Sequence, residues 1–493
     1  MKNIAAAIGL LLSLTMPAFA ETKFAPMTFM SLPKLSAWTG DFDGMLKRHT
    51  LRILVPYSKT LFFIDRGQQF GIEAVLGGQF DDWINARHQS KTQRINVWFV
   101  PVPRGELLAA LRDGRGDIAA GNLTITPEGL TQVDFGEPWR SKIDEIVVTG
   151  PATEPIGPLE DLSGRDVFVR TSGSVAEHVR KLNEAFLAKG LRPINVKPAD
   201  GNLEDEDILE MVNAGLIPLA IVDDYTATVW SSVFRSLRPR PDLVVSANGS
   251  MAWAIRKGSP LLKAELRAFI QQHPLITTFG DDIRKRYGAD GQIAHNAFDD
   301  ADLKRFNDLV EVFKFQARKY RFDWRMLMAQ AYQESRLDQT RRSSRGAVGV
   351  MQVMPATAAS KPFGFEGVDT DIAMNVEAGS AILRYLVDDC VGPDPAVDEL
   401  NRMLFAFAAY NAGQGSLIRF RDVAKRQGLN PNAWFGNVEI AAGQVGGSET
   451  IQYVDNIYRY YIAYALLEER AAASRAARER PDERVAEKFV RPW

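Results

Sequence analysis

The sequence has a single cysteine, Cys390, in 493 residues. No intrachain disulfide can form, and stability has to come from ordinary cores, which the 46% hydrophobic content allows. Histidine is as scarce. There are five in all and none from Asp299 onward, which excludes a Ser-His-Asp triad, a Cys-His pair or a His-ligated zinc site built within the C-terminal half. Charge of one sign is missing too. Lys and Arg total 59 against 61 for Asp and Glu, a balance that argues against nucleic acid as a partner. Beyond the first twenty residues no apolar run is long and charge-free enough to span a bilayer.

The N-terminus has the three parts of a secretory signal. Lys2 supplies the positive region, Ile4 to Leu14 the apolar region, and Ala18-Phe19-Ala20 the small-residue cleavage site. A mature chain starting at Glu21 is expected, with no cysteine there for a lipid anchor. Losing Lys2 moves the formal net charge from −2 to −3. The destination is an exported compartment, and two to four domains are expected at this length.

Two compositional regimes follow. From Leu51 to Gly288, strand-like runs alternate with helical patterns. Strands are expected at Leu51–Pro56, Ile95–Val102, Asp117–Ala120, Glu145–Thr149, Asp166–Arg170, Leu219–Val222, Leu243–Ser246 and Met251–Ile255. Gly105–Leu111 reads as a helix between them. This alternation predicts an α/β fold with largely parallel sheets. From Asp299 the strand signals fade. Leu303–Arg321, Trp324–Arg336, Val376–Asp389, Met403–Tyr410 and Ile451–Leu467 all have helical spacing, and Asp323 is placed to cap the second of them. The break between the regimes is expected near Gly288–Asn296, and Glu468–Trp493 reads as a charged continuation and tail.

Without histidine, the chemistry of the second half belongs to carboxylates, hydroxyls and amides. Glu334 closes an amphipathic helix that runs into the Gly-rich turn Gly346–Pro355. Apolar surroundings and the negative end of the helix dipole both disfavour its charged form, so a raised pKa is expected. Such a carboxyl can protonate a glycosidic oxygen near neutral pH. Ser343, Gln352, Tyr410 and Asn411 offer hydroxyl and amide groups suited to a neutral sugar. Asp338, one turn after Glu334, reads as a surface or capping residue.

Four motifs occur in order: Gln333-Glu334-Ser335, Ser343 to Thr357, Ala408-Ala409-Tyr410-Asn411-Ala412-Gly413, and Glu449 to Val454. Together they resemble the lysozyme-like soluble lytic transglycosylase domain of bacterial cell-wall enzymes, over residues 310–467. The resemblance implies cleavage of the MurNAc–GlcNAc β-1,4 bond of peptidoglycan without water, leaving a 1,6-anhydro-MurNAc end. It places Glu334 as the single acid/base and Ser343, Gln352, Tyr410, Asn411 and Tyr453 against the substrate. It implies neither metal nor other cofactor.

In the first half, Thr124-Ile125-Thr126-Pro127-Glu128 followed by Val133 to Trp139 resembles the extracellular solute-binding proteins of polar amino-acid transporters, family 3. Asp117–Gly121 and Trp253–Gly258 support the likeness. It implies a two-lobed clamp whose ligand would meet Tyr57, Thr126, Ser174 and Asp223. One departure is plain. Gly129 stands where amino-acid binders carry the arginine that grips the ligand carboxylate, so a free amino acid is a doubtful ligand, which leaves a wall peptide, another metabolite or a vestigial lobe pair.

The two resemblances together match the membrane-bound lytic murein transglycosylase F family. The expected architecture is multidomain, an α/β two-lobed periplasmic-binding-protein-like module followed by a mainly α lysozyme-like domain. Its divisions are a signal at 1–20, an extension at 21–47, the binding module at 48–290 (lobe one 48–148 and 247–290, lobe two 149–246), a linker at 291–309, the transglycosylase domain at 310–467 and a tail at 468–493. The expected setting is periplasmic and peripheral on the outer membrane, with peptidoglycan strands as substrate, a small wall-derived ligand in the first module, and no nucleic acid. The alternative is a periplasmic solute-binding or scaffolding protein with an inactive lysozyme-like domain.

Overall fold

The computed structural model describes residues 37–65, 68–88, 94–273 and 300–479. The expected signal, the Gly288–Asn296 break and the tail from residue 480 lie outside the described residues.

The first module opens with α1 (Phe42–Lys47), β1 (Thr50–Val55), the hairpin of β2 (Phe63–Asp65) and β3 (Gln68–Phe70), α2 (Ile72–Arg87), β4 (Asn96–Pro101), α3 (Leu107–Arg112), β5 (Ile118–Ala119), α4 (Pro127–Gln132) and β6 (Asp134–Phe135). The chain then enters a second lobe through β7 (Arg140–Thr149), followed by β8 (Asp166–Val169), α5 (Ser174–Ala188), β9 (Asn195–Pro198), α6 (Asp205–Asn213), β10 (Leu219–Asp223) and α7 (Asp224–Ser231). It returns along β11 (Arg238–Met251) to β12 (Ala254–Ile255) and α8 (Pro260–Gln272).

Two five-stranded sheets result, ordered β4-β1-β5-β12-β6 and β11-β7-β10-β8-β9. In the first, β1 lies parallel to β4 and β5. Leu51, Ile53, Leu54 and Val55 are fully buried, as a strand covered on both faces requires. The sheets are mixed rather than largely parallel. β12 runs antiparallel to β5 and β6, and β7 runs antiparallel to β10 and β11. The cause is the double crossing. β7 and β11, one leaving and one returning, pair with each other and so must run in opposite directions. β6, β9 and the β2–β3 hairpin are short elements that the hydrophobic pattern did not mark.

The second half is helical: α9 (Asp300–Tyr320), α10 (Trp324–Ser335), α11 (Pro355–Ala359), α12 (Ile372–Leu386), α13 (Glu399–Ala412), α14 (Gln414–Arg426), α15 (Glu439–Gln444) and α16 (Ser448–Glu479). The first of these begins at Asp300, inside the stretch expected as linker. α10 starts where Asp323 accepts a hydrogen bond from the Arg325 N–H, and it stops where Arg336 turns left-handed (φ 56°). Its residues Met326 to Tyr332 are buried, so the helix is a core element and its last turn is delivered to the surface.

The apolar core runs without interruption from the first sheet into the helical half. The β2 strand lies against α15 so closely that a Cβ on Gly443 would sit 2.2 Å from the Ile64 carbonyl oxygen. Charged groups complete the junction. Arg459 of α16 donates to Asp207 of α6 at 2.6 Å and reaches Glu210 at 3.3 Å, with Lys59 of the first lobe 3.6 Å from the same Asp207. Burial alone would disfavour the Arg459 cation, but Glu210, Asp207 and Asp455 outweigh it and hold the guanidinium charged.

Candidate active site

Glu334 sits on the last turn of α10, partly buried. Burial raises its carboxyl pKa to about 7, and a hydrogen bond from Tyr453 acts in the opposite direction. That bond runs from the Tyr453 hydroxyl to Glu334 Oε1 at 2.6 Å. No neighbouring carboxylate contributes to the shift. A nucleophile carboxylate about 5–5.5 Å away, as in retaining glycosidases, would raise the pKa by like-charge repulsion. Among the described residues, no second carboxylate acts on Glu334 in this way.

The turn facing Glu334 is built by hydrogen bonds that the sequence supplies locally. Ser335 Oγ donates to the Val350 carbonyl at 2.8 Å, which fastens the end of α10 to the turn. Gly349 has φ +77°, and a Cβ there would meet Asn375 Nδ2 at 2.3 Å. Asn375, fully buried on α12, accepts from the Met351 N–H at 2.8 Å and donates to the carbonyls of Val348 and Val368 at 2.9 and 2.8 Å. Tyr410 of α13 donates to the Met351 carbonyl at 2.8 Å. The turn is thereby pinned from three helices before any ligand arrives.

The fold gathers Glu334, Tyr453 and Tyr410. Burial first, and the Glu334 charge second, keep both phenols protonated well above their ordinary range. Asn411 accepts from Thr450 Oγ1 at 2.8 Å and, with Gln333 and Tyr453, lines a cavity of about 640 Å³ between the helical half and the first module. Ser343 and Gln352 stand on the turn, where their polar atoms serve the turn itself. Ser343 Oγ accepts from the Ala347 N–H at 2.9 Å, and Gln352 Nε2 donates to the Gly349 carbonyl at 2.8 Å. Asp338 accepts from the Thr340 N–H and hydroxyl at 2.8 and 2.7 Å, a turn-capping role.

Three of the four residues expected at the first module's ligand site come together. Thr126, Ser174 and Asp223 line a cavity of about 340 Å³ between the lobes, with Gly129 and Arg170. Tyr57 does not join them. Its ring faces the larger cavity beside Ile64 and Gly443, because the loop after β1 turns toward the helical half. The cavity's deep carboxyl is Asp223. Burial raises its pKa well above the usual range, Asp205 and Glu145 add to the rise, and Arg170 only partly offsets it. Arg170 itself is held by Asp205 at 2.8 Å, and Arg104 by Glu204 at 2.7 Å.

Asn375, Arg459 and Gln330 were not marked from the sequence. Gln330 is fully buried and donates to the Tyr453 hydroxyl at 3.2 Å. A polar residue one helical turn before the acid, on an otherwise apolar face, was its only available signal.

The fold and site define a helical domain with a raised carboxyl, Glu334, at the end of α10, joined to a two-lobed α/β module. The transglycosylase SLT domain family matches residues 311–432, and the bacterial extracellular solute-binding proteins, family 3, match residues 80–287. Membrane-bound lytic murein transglycosylase F of Desulfosudis oleivorans is 28% identical over 381 residues, 72% of this chain and 78% of that protein. The protein of the same name from Pseudomonas fluorescens strain Pf0-1 is 26% identical over 466 residues, 90% of each. Among solved structures, an ancestral arginine-binding protein bound to arginine is 21% identical and covers 49% of this chain and 99% of its own, with a TM-score of 0.38. The chain is similar to the membrane-bound lytic murein transglycosylases F over most of its length.

Proposed function

We propose that this protein is a peptidoglycan lytic transglycosylase that cleaves the MurNAc–GlcNAc β-1,4 bond and leaves a 1,6-anhydro-MurNAc end. The observation that carries this is the Glu334 carboxyl, raised to about 7 by burial, with the Tyr453 hydroxyl at 2.6 Å and, among the described residues, no second carboxylate acting on it. In its neutral form Glu334 protonates the glycosidic oxygen as the bond to C1 breaks. The carboxylate so formed is steadied by Tyr453 and takes the proton of the C6 hydroxyl as that oxygen bonds to C1. The proton is returned and no water is consumed. Ser343, Gln352, Tyr410 and Asn411 line the substrate's path, with the pinned turn holding the sugar against the acid.

Digestion of purified peptidoglycan by wild type and Glu334→Gln, followed by mass analysis, tests this. Anhydro ends from wild type alone are expected. Reducing ends would mean hydrolysis, and no product from either would favour the scaffolding alternative. The intact pinned turn and the raised carboxyl speak against an inactive domain.

The first module is proposed to take a small wall-derived ligand bearing an amino group, held by Asp223 with Thr126 and Ser174. Helix α6 supports a regulatory role. It carries Asp205 beside this cavity and Asp207 and Glu210 against Arg459, and Arg459 shares α16 with Tyr453. Linkage supplies the test. A wall peptide that speeds cleavage through equilibrium binding must itself bind more tightly when a glycan analogue fills the cleft, and independence of the two sites would end the idea. Among the described residues no helix is long and apolar enough to cross a membrane. The signal-like N-terminus supports a periplasmic protein, and a peripheral place at the outer membrane is part of the same proposal.

A further inference from the structure

Gln330 and Glu334 lie four residues apart on α10, on one face of the helix. Tyr453 Oη touches both. It receives Gln330 Nε2–H at 3.2 Å and lies 2.6 Å from Glu334 Oε1. A phenol has one proton to give. With the amide occupying a lone pair of Tyr453, that proton is directed to Glu334. The other carboxyl oxygen, Oε2, accepts no hydrogen bond from the described residues. Gln330 Oε1 is likewise buried without a partner, an unusual cost to leave in a core.

We propose that Gln330 is a positioning residue for the acid/base, fixing Tyr453 as a donor to Glu334 Oε1 so that Oε2 is the oxygen that exchanges protons with the glycan. This rests on the transglycosylase reading of the site. In the first step the proton leaves Oε2 for the departing glycosidic oxygen as the C1–O bond breaks. In the second, the C6 oxygen bonds to C1 and its proton passes to Oε2. Tyr453 keeps its own proton throughout, which its strongly raised pKa favours. The unsatisfied Gln330 Oε1 gives the arrangement a definite alternative. Were the amide turned over, Oε1 would accept the phenol's proton and the carboxylate would lose its donor.

The two orientations predict opposite signs in one experiment. The full-length protein, Gln330→Met and Tyr453→Phe are compared for kcat/KM on soluble glycan strands across pH 5–9, with products identified by mass. Activity requires protonated Glu334 and falls as pH rises through its pKa. Tyr453→Phe removes a donor to the carboxylate, so the alkaline half-activity point should move up by about one pH unit. Gln330→Met should move it the same way by about half as much, with KM unchanged. Its thermal midpoint should hold, since bond and orphan oxygen are removed together. A drop in rate at every pH with no displacement of the profile would overturn the proposal. So would a displacement toward lower pH, because the amide would then have been withholding the proton. Gln330→Leu serves as the second variant should Met fail to fold. Reducing ends from the wild type would sink the transglycosylase reading. The displacement would still decide the role of Gln330, because hydrolysis also starts from protonated Glu334.

Discussion

Replacing Glu334 by Gln should make the protein more stable, and more so as pH rises. The native carboxyl has a pKa of about 7 because burial penalises its charge, against 4.5 for the unconstrained group. Below about pH 4.5 both states are protonated and the residue costs nothing. Between there and pH 7 the unfolded chain ionises while the folded one holds its proton, so stability falls with rising pH. Above pH 7 the full difference is lost, at about 1.4 kcal/mol per pH unit, or at most about 3 kcal/mol for this partly exposed group. Gln cannot ionise and can still accept the Tyr453 hydrogen bond, so the variant escapes this cost. Scanning calorimetry of wild type and Glu334→Gln at pH 4.5 and pH 8 reads it directly. The melting temperatures should nearly coincide at pH 4.5, and at pH 8 the variant should melt higher by as much as about 6–10 °C. A gap of equal size at both pH values, or a wild type that is the more stable at pH 8, would refute the reasoning.

Three further outcomes are expected. Asn375→Leu strands the Met351 N–H and the Val348 and Val368 carbonyls in the core, so it should cost about 3 kcal/mol or more and abolish turnover. Denaturant titration with activity checks this, and a loss below about 1 kcal/mol would contradict it. Tyr410→Phe cuts only the bond to the Met351 carbonyl. It should lower kcat about tenfold, or about 1.4 kcal/mol, while the melting temperature moves little, and unchanged kinetics would show that the turn does not need that anchor. Arg459→Met removes the guanidinium that bridges Asp207 and Glu210 and leaves them the more distant Lys59, 3.6 and 3.7 Å away. A cost of about 3–5 kcal/mol at the junction is expected, visible as separation of the modules in small-angle scattering, and an unaltered profile would deny the junction that role.

Helix α10, its Asp323 cap and the carboxyl at its end were legible in the sequence. Apolar spacing, a capping residue and a Gly-rich turn are local properties that act over a few residues. Asn375 was not legible. A buried asparagine in the middle of a helix looks like a weak helix former until the turn it fastens is seen, and that turn lies more than twenty residues away in the chain. The solute-binding resemblance put Tyr57 with the first module's ligand, but the path of the loop after β1 turns it toward the larger cavity. The mixed sheets had the same origin. Strand segments were visible, but the direction in which β7 and β11 pair depends on the double crossing between lobes.

Composition and motif order by themselves determined that the chain has a mixed α/β half and a helical half, that the second contains no histidine, and that Glu334 is the carboxyl to propose as the acid/base. The tertiary structure alone decided how acidic that residue is and which oxygen of it is held. Desolvation depends on what packs around the carboxyl, and the Tyr453 hydroxyl that steadies it comes from a helix 119 residues further along the chain. Periodicity specifies the face a residue occupies. The partner across that face is fixed only when the helices pack.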